Sequence, residues 1–455
     1  MVKNEKFQIT IEDLGENGEG IGRADGYTLF VKGALIGDVI EGVVTKAQKN
    51  YGFGRLLRVL TPGPDRIEAE CKVASPCGGC QLQCMSYEAQ LKFKQRKVRE
   101  HLIRIGGLSA EEADGIMQPI IGAEDPWRYR NKAQVPFAEK NGRTIYGFYA
   151  GRTHSIIERE DCLIEQEHDG EILRVVKDFM DAHGIKAYDE EKNTGLVRHV
   201  LIRSSVATGE ILVCLIINGR KIPYVKELIE ALEKCGATTV TININKKKTN
   251  VILGDETKVL FGEGFIREKL DGISYRISTK SFFQVNPRQT EKLYKTAMEF
   301  ADLSGTEEVW DLYCGTGSIS LFAARYAGRV HGVEIVADAI EDAKENAKEN
   351  KIENAEFICG KSEDVLPEAA KSGAFADVII VDPPRKGCAP ELLEAACVMS
   401  PKRIVYVSCN SATLARDISL LREKGYEPDA VRPVDMFPMT VGVETVCLLS
   451  NRPKG

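Results

Sequence analysis

The segment VWDLYCGTGSISL, residues 309–321, decides the fold of the C-terminal part of this 455-residue chain. It reads as an apolar strand that carries Asp311, a turn with Gly315 and Gly317, and a helix start at Ser318. In open α/β sheets, ligands bind at the carboxyl ends of strands, where glycine allows a close backbone approach. The segment therefore predicts a cofactor site to which these four residues contribute.

Apolar runs of strand length surround this segment and alternate with amphipathic stretches such as ADAIEDAKENAKENK. The runs are EVWDLYC, RVHGVEI, AEFICG, ADVIIVD, RIVYVSC and ETVCLLS. Such alternation is the signature of a doubly wound α/β domain with a largely parallel sheet. We place this domain at residues 271–455.

The expected cofactor follows from the turn and from the next strand. That strand ends in Glu334, 23 positions after Asp311, where a carboxylate is suitably placed to accept ribose hydroxyls. A nicotinamide dinucleotide site would show the fuller G-x-G-x-x-G pattern, whereas this turn reads G-T-G-S-I-S. We predict S-adenosylmethionine as the cofactor.

Two further strand ends carry candidate chemistry. One runs into Asp382-Pro-Pro-Arg, where the prolines stop the strand and a carboxylate faces a planar substrate. The other ends in Cys409, followed by a polar turn and a helix start that could lower the pKa of the thiol. The sequence thus predicts a cysteine nucleophile beside Asp382.

A thiolate beside S-adenosylmethionine has a specific use. Carbon 5 of uracil is a poor nucleophile until a thiolate adds to carbon 6, and a base must then remove the proton on carbon 5. His331 begins its strand, away from the carboxyl edge, so a carboxylate is the expected base. Glu444, just before the final strand, is the candidate.

The N-terminal residues 1–60 alternate short strands with glycines, as small antiparallel barrels do. The segments GEGIGR, LFVKGALIGDVIEG and TPGPDR resemble a TRAM domain, an OB-like RNA-binding module. Eight basic and eight acidic residues balance in this region, so its composition does not indicate an electrostatic clamp.

Residues 61–270 are predicted to form a mixed α+β middle domain. Its segment PWRYRNKAQVPF is compatible with base stacking and phosphate binding, and equally with a strand that turns one aromatic face to the core.

The complete set of motifs resembles the RNA 5-methyluridine methyltransferase family of the RumA and TrmA type. The motifs are SFFQVN, DLYCGTGSISL, GVE, DPPRKG, VYVSCN and FPMT followed by VET. The resemblance implies a class I, Rossmann-like methyltransferase domain with Cys409 as nucleophile and Glu444 as base. It also implies that Gln284, Tyr313, Glu334 and Asp382 contact S-adenosylmethionine or the target base. The chain departs from the family pattern at Gly442, where the family often has histidine.

Thirteen cysteines in a chain without an evident signal peptide favour thiolate or metal chemistry in a reducing compartment. Cys71, Cys77 and Cys80, with the remote Cys162, suit zinc or an iron–sulfur cluster, and their spacing alone does not separate the two. The family resemblance implies a 4Fe-4S cluster on these four residues. Cys84 competes with Cys162 because it is nearer in sequence.

The leading hypothesis is a cytoplasmic enzyme that methylates a uridine in 23S ribosomal RNA. The alternatives are the same chemistry on transfer RNA and a non-catalytic RNA-binding protein with a methyltransferase fold. The longest apolar run, residues 211–217, is far too short to span a membrane, so we expect no membrane association. The sequence implies no obligate protein partner.

Overall fold

The structure is a computed structural model that describes residues 1–151, 153 and 155–452. Contacts divide it into two compact units. Unit 1 contains Met1–Lys97, the described residues of Tyr149–Ile157, and Phe437–Gly442, and unit 2 contains the remainder. Among the described residues, no helix combines the length and the apolar character needed to cross a membrane.

The N-terminal strands close into the predicted barrel. Its strands are β1 (Lys6–Leu14), β2 (Glu19–Ala24), β3 (Tyr27–Lys32), β4 (Val39–Ala47) and β5 (Tyr51–Thr61). Their order around the barrel is β1-β2-β3-β5-β4, and β3 pairs with β5 in parallel. Alternate residues point inward, so that Ile9, Leu29, Val31, Ile40 and Val44 form the barrel core.

Three helices follow the barrel along the chain. They are α1 (Ala74–Cys77), α2 (Tyr87–Arg104) and α3 (Ala110–Ile116). Ser109 and Glu112 form a capping box that starts α3, because each side chain satisfies the backbone N–H of the other. In unit 1, the buried Asp38 carboxylate accepts hydrogen bonds from Arg66 and fixes the loop after the barrel.

The middle region forms a seven-stranded sheet in the order β12-β11-β10-β9-β6-β7-β8. Its elements are β6 (Lys132–Lys140), β7 (Arg143–Tyr149), β8 (Ile156–Glu158), α4 (Glu167–Ala182), β9 (Val197–Ser204), β10 (Ile211–Ile217), α5 (Val225–Lys234), β11 (Thr239–Ile244) and β12 (Glu256–Phe261). Apolar side chains of α4 and α5 share one core with the central strands. The hairpin β13 (Phe265–Leu270) and β14 (Ile273–Ser278) and helix α6 (Pro287–Ala301) lead to the C-terminal sheet.

The C-terminal sheet has the order β17-β16-β15-β18-β19-β21-β20. Its elements are β15 (Glu308–Leu312), α7 (Ser318–Ala324), β16 (Arg329–Glu334), α8 (Ala337–Glu349), β17 (Ala355–Cys359), α9 (Ser362–Lys371), β18 (Val378–Val381), α10 (Pro390–Val398), β19 (Arg403–Ser408), α11 (Ser411–Glu423), β20 (Tyr426–Val434) and β21 (Glu444–Asn451). The first five strands in this order are parallel, and β21 pairs antiparallel with both of its neighbours, β19 and β20. This confirms the predicted α/β fold and brings the ends of β15, β16, β18 and β19 to one edge.

Candidate active site

The glycine turn after β15 requires unusual backbone angles. Tyr313, Gly315 and Gly317 all have positive φ, at 65°, 56° and 76°. A Cβ on Gly317 would lie 2.9 Å from the Phe357 ring, so the turn packs directly against β17. A Cβ on Gly315 would meet no atom within 4 Å. The turn therefore presents bare backbone to open space at Gly315, as a ligand cradle does.

The Glu334 carboxylate is fixed beside this turn. Its Oε2 accepts a hydrogen bond of 3.2 Å from the backbone N–H of Gly315. Its Oε1 accepts one of 2.9 Å from the backbone N–H of Val336. The glycine turn and the acidic residue at the end of β16, which the sequence predicts to act together, are therefore in direct contact through this hydrogen bond.

Asp311 is fully buried inside β15, where Ser320 of α7 donates to its Oδ2 at 2.5 Å. Its Oδ1 has no hydrogen-bond partner among the described residues. Burial raises the pKa of Asp311 to about 7, an effect that the Ser320 bond opposes and the charge of Asp382 reinforces. One carboxylate oxygen of Asp311 therefore holds the helix, and the other is unsatisfied.

Three other predicted cofactor residues lie in ordered surroundings. The Tyr313 hydroxyl donates to Glu363 Oε1 at 3.0 Å. The Ser318 hydroxyl is 2.8 Å from the Tyr294 hydroxyl, which leaves its side chain engaged within the protein. Gln284 is buried, and its backbone carbonyl accepts a hydrogen bond from Asn131 at 3.1 Å.

Strand pairing brings Cys409 and Glu444 together. In the antiparallel register of β19 and β21, Ser408 pairs with Thr445. Continuing this register by one residue places Cys409 opposite Glu444, where side chains point to the same face. Glu444 is 2% exposed, and its Oε2 has no hydrogen-bond partner in the described part of the chain.

The electrostatics of this group are dominated by burial. Burial, with the charge of Asp382 adding to it, raises the pKa of Glu444 to about 8, although Arg385 opposes the shift. Burial alone raises the pKa of Asp382 to about 7. The charge of Asp382 raises the pKa of both Glu444 and Cys409, and the charge of Glu444 raises that of Cys409, so the three groups lie close together in a region of low dielectric.

The expectation that a helix N-terminus lowers the pKa of Cys409 is wrong for this structure. Burial and the charges of Glu444 and Asp382 raise the pKa of Cys409 to about 11, and Arg385 only partly offsets them. Helix α11 begins two residues later, and the side chain of its N-cap, Asn410, already accepts the Ala412 N–H. The resting thiol is consequently protonated at neutral pH.

Several supporting residues were not found from the sequence. Asn410 Nδ2 donates to the Arg385 carbonyl at 3.1 Å and so ties the nucleophile turn to the DPPR loop. Ser320 and Glu363 act in the same way on Asp311 and Tyr313. Ser320 and Asn410 lie within the motifs DLYCGTGSISL and VYVSCN, where nothing distinguishes them from ordinary polar residues, and Glu363 lies in none of the motifs. His331 lies 2.5 Å from Glu308 at the start of β16, away from the site, as expected.

The candidate metal ligands belong to different units. Cys71, Cys77 and Cys80 are in unit 1, where α1 ends at Cys77 and Gly78 follows in the left-handed region. Cys162 is in unit 2. The donor chemistry fits a cluster, because four thiols are available, but no three His, Cys, Asp or Glu side chains of the described residues converge in a metal-binding arrangement.

The competing cysteine and the aromatic–basic segment have structural roles. Cys84 interacts with the Arg66 guanidinium and packs against the apolar cluster around Leu82. Arg128 pairs with Asp161 at 2.7 Å and donates to the Cys162 carbonyl at 2.9 Å. Tyr129 is buried. The PWRYR segment thus anchors the Cys162 loop through Arg128 instead of offering that side chain to phosphate.

Comparison with known proteins identifies the family of the chain. The family model described as tRNA (Uracil-5-)-methyltransferase matches residues 87–452, and the TRAM domain model matches residues 3–57. An "Uncharacterized RNA methyltransferase" of Halalkalibacterium halodurans is 50% identical over 449 residues, covering 98% of this chain and 97% of that protein. One of Clostridium tetani is 45% identical over 450 residues, covering 98% and 97%.

A solved structure supports the same assignment. It is the Pyrococcus abyssi tRNA (uracil-54, C5)-methyltransferase in complex with S-adenosyl-L-homocysteine. It is 26% identical, covers 97% of this chain and 100% of its own, and aligns with a TM-score of 0.79. The chain therefore belongs to the tRNA (uracil-5-)-methyltransferase family of S-adenosylmethionine-dependent RNA methyltransferases, and it carries an N-terminal TRAM domain.

Proposed function

We propose that this protein methylates carbon 5 of a uridine in 23S ribosomal RNA, with Cys409 as nucleophile and Glu444 as base. The observation that carries the proposal is the placement of Cys409 opposite Glu444 in one buried pocket with Asp382. Addition to uracil requires a nucleophile, and the later removal of the proton on carbon 5 requires a base beside it. Cys409 and the Glu444 carboxylate, whose pKa is raised, meet these two requirements.

The proposed steps balance as follows. Cys409 loses its thiol proton to solvent and Sγ bonds to carbon 6 of the uracil, which places the electron pair of the double bond on carbon 5. Carbon 5 would then take the methyl group, with S-adenosylhomocysteine as the leaving group. Glu444 removes the proton on carbon 5, the bond between Sγ and carbon 6 breaks, and the thiolate is restored. The Glu444 pKa of about 8 suits the role of base, because a base works best when its pKa is near the operating pH.

The cofactor would bind along the carboxyl edge of the sheet. S-Adenosylmethionine supplies the methyl group and, as a sulfonium cation, a positive charge among buried carboxyls. Glu334, held at the glycine turn, would accept the ribose hydroxyls. The remaining proposed contacts come from Gln284, Asp311, Tyr313, Gly315, Gly317, Ser318 and Asp382. Open space beside Gly315 supports this placement.

The uridine must leave its stack to reach Cys409, because a thiol cannot approach carbon 6 of a stacked base. We therefore expect the substrate to be a loop uridine. The same chemistry on transfer RNA is the second candidate, and the name of the family model and that of the Pyrococcus abyssi enzyme favour it. The three-domain division and the cytoplasmic location stay predictions.

The test uses methyl-labelled S-adenosylmethionine with unmodified 23S, 16S and transfer RNA transcripts, followed by nucleoside analysis. Label in 5-methyluridine from 23S RNA is the expected result. Label confined to transfer RNA would refute the ribosomal substrate and keep the chemistry. Label in none of the RNAs would refute the proposed activity and favour the alternative of a non-catalytic RNA-binding protein.

Variants separate the roles of the two residues. Cys409→Ala should abolish transfer and keep S-adenosylmethionine binding, whereas Cys359→Ala, which removes an exposed thiol on β17, should change neither. Glu444→Gln should accumulate a covalent RNA adduct on denaturing gels. Turnover by Cys409→Ala, or only free RNA with Glu444→Gln, would contradict the mechanism.

We also propose that Cys71, Cys77, Cys80 and Cys162 hold a 4Fe-4S cluster. Support comes from the family resemblance and from four thiols of suitable chemistry. Anaerobically purified protein should contain about four irons per chain. Cys162→Ser should lower the iron content and the visible absorbance, and Cys84→Ser should leave both unchanged; the reverse pattern, or stoichiometric zinc, would overturn the assignment.

A further inference from the structure

The connection between β20 and β21 is longer than the pairing of these strands requires. Val434 at the end of β20 pairs with Glu444 at the start of β21, and residues 435–443 join them. Two antiparallel neighbours need only about two to five residues to turn. Within this connection, Phe437–Gly442 belongs to unit 1, although both strands belong to unit 2. We call Phe437–Gly442 the strap. It ends two residues before the proposed base.

The centre of the strap has a strained backbone conformation. Met439 has a φ of +68°, in the left-handed region that residues with a Cβ rarely adopt. Its N–H donates to Gln90 Oε1 at 3.0 Å, and its carbonyl accepts from the Leu82 N–H at 3.0 Å. Met439 and Gln90 are both buried. Strained residues persist where the surrounding structure over-determines them, and they cluster at functional sites.

Further hydrogen bonds hold both ends of the strap. At its start, Lys94 Nζ donates to the Phe437 carbonyl at 3.0 Å. Near its end, Lys97 Nζ donates to the Val441 carbonyl at 3.3 Å, and Gln81 Oε1 accepts from the Val441 N–H at 3.4 Å. Val441 also packs against an apolar cluster of unit 1. The strap is therefore bound at its start, centre and end by α2 and by the loop that precedes this helix.

Gln90 and Lys94 are unusual residues for a buried helix face. They are four positions apart in α2, so they lie on the same face of the helix, and both are fully buried. Burial of an amide or an ammonium group is costly unless the group is hydrogen-bonded. Both side chains spend hydrogen bonds on the backbone of the strap. Departures of this kind from an apolar interior are expected where they serve function.

We propose that Gln90 and Lys94 are positioning residues for the proton-removal step, because they hold the strap and the strap fixes the place of Glu444. This inference rests on the proposed function, in which Glu444 removes the proton on carbon 5. A base must come within about 3 Å of the atom that carries the proton. A misplacement of about 1 Å can lower a rate about 100-fold. Glu444 is the first residue of β21, so a released strap would displace it directly.

The steps before proton removal provide an internal reference. Addition of Cys409 to carbon 6 and transfer of the methyl group do not use Glu444 in the proposed mechanism. Loss of the hydrogen bonds to the strap should therefore leave the formation of the methylated covalent adduct unchanged. It should slow the release of methylated RNA from that adduct.

The test follows the methyl group through a single turnover. Each variant is mixed, in excess, with methyl-labelled S-adenosylmethionine and the unmodified 23S or transfer RNA transcript that the wild-type protein labels, and samples are stopped in detergent. Label that stays with the protein on denaturing gels is adduct, and label in free RNA is product. Gln90→Leu and Lys94→Met should form adduct at the wild-type rate and release it about tenfold more slowly or more. Gln81→Ala, at a partly exposed position, should fold in any case and show a smaller delay.

Asp38→Asn is the matched control for stability. Asp38 is buried in unit 1, and its carboxylate accepts hydrogen bonds from Arg66 and the Gly63 N–H, which lie outside the strap. This variant should lower the melting temperature and release the adduct at the wild-type rate. A merely structural role of Gln90 and Lys94 would lower adduct and product together, in proportion to the folded protein. That result, with an unchanged rate of release, would overturn the proposal.

Glu444→Gln separates this proposal from the proposed function. If Glu444→Gln accumulates adduct while Gln90→Leu, Lys94→Met and Gln81→Ala release it as wild type does, the positioning role is refuted and the proposed function stands. If Glu444→Gln itself releases adduct at the wild-type rate, the assignment of the base fails and the positioning role fails with it.

Discussion

Replacing Glu444 by glutamine is expected to stabilise the protein at neutral pH while abolishing its turnover. Glu444 is 2% exposed, and one carboxylate oxygen has no partner among the described residues. Its charge is therefore costly to bury, and glutamine has the same shape without the charge. A residue that destabilises the fold in this way persists where it serves the reaction.

The magnitude follows from the pKa of Glu444, which rises from 4.5 to about 8. Between these values the native state binds more protons than the unfolded state, so stability falls as pH rises. Each pH unit in this window costs about 1.4 kcal/mol. Glu444→Gln should therefore match wild type near pH 4.5 and gain about 3 kcal/mol at pH 7.

Urea unfolding at pH 5, 7 and 8.5 measures this effect. Trp310 is buried in β15 and reports on the methyltransferase domain when Trp127 is replaced by phenylalanine in both proteins. The difference in free energy of unfolding between variant and wild type should grow with pH. It should level off above pH 8, where Glu444 is ionised in both states.

Asp417→Asn is the matched control, because Asp417 is equally buried but fully engaged. Its carboxylate accepts hydrogen bonds from the Tyr406 hydroxyl, the Cys388 N–H and Arg416. This variant should lose stability at every pH. A loss of stability in Glu444→Gln at pH 7, or a difference that does not change with pH, would refute the reasoning about an unsatisfied buried charge.

Three further results are expected. Gly317→Ala should lower stability by about 1 kcal/mol or more and weaken S-adenosylmethionine binding, measured by melting and calorimetry, because φ is +76° and the added Cβ meets a phenylalanine ring. Asn410→Ala should cost about 1 kcal/mol as a lost helix cap and should slow transfer more than it weakens cofactor binding, measured by initial rates. The affinity for S-adenosylmethionine relative to neutral S-adenosylhomocysteine should rise from pH 6 to 8 in calorimetry, because Asp311, Asp382 and Glu444 ionise in that range.

Most of the C-terminal fold could be predicted because its strands are buried on both faces and read as continuous apolar runs. Strand β20 could not. Its sequence, YEPDAVRPV, contains Pro428 and Pro433 and alternates with charges. The strand lies at the edge of the sheet, where a missing N–H is tolerated. The local sequence pattern does not show whether a segment will lie at the edge of a sheet, where prolines are tolerated.

The placement of the candidate site residues at one edge of the sheet was predictable from the sequence, but their ionisation was not. Cys409 and Asp382 follow apolar strands, so the motif order alone locates them at one edge. The raised pKa of the Cys409 thiol depends on burial and on Glu444, which comes from a strand 35 positions later. The sequence shows that a helix begins after Cys409, and the field of its N-terminus would stabilise a thiolate. The carboxyls of Glu444 and Asp382, which oppose that effect, are brought next to Cys409 only by the fold.

Burial has opposite consequences for the two proposed reacting groups. It makes Glu444 a stronger base by raising its pKa toward neutrality, and it makes Cys409 a poorer nucleophile at rest by keeping the thiol protonated. Positive charge near these groups lowers both pKa values, so it favours the thiolate of Cys409 and also the carboxylate of Glu444, which with a pKa of about 8 is mostly protonated at pH 7. Under the proposed mechanism, the positive charge of the sulfonium cofactor would therefore favour the reactive, ionised form of both groups.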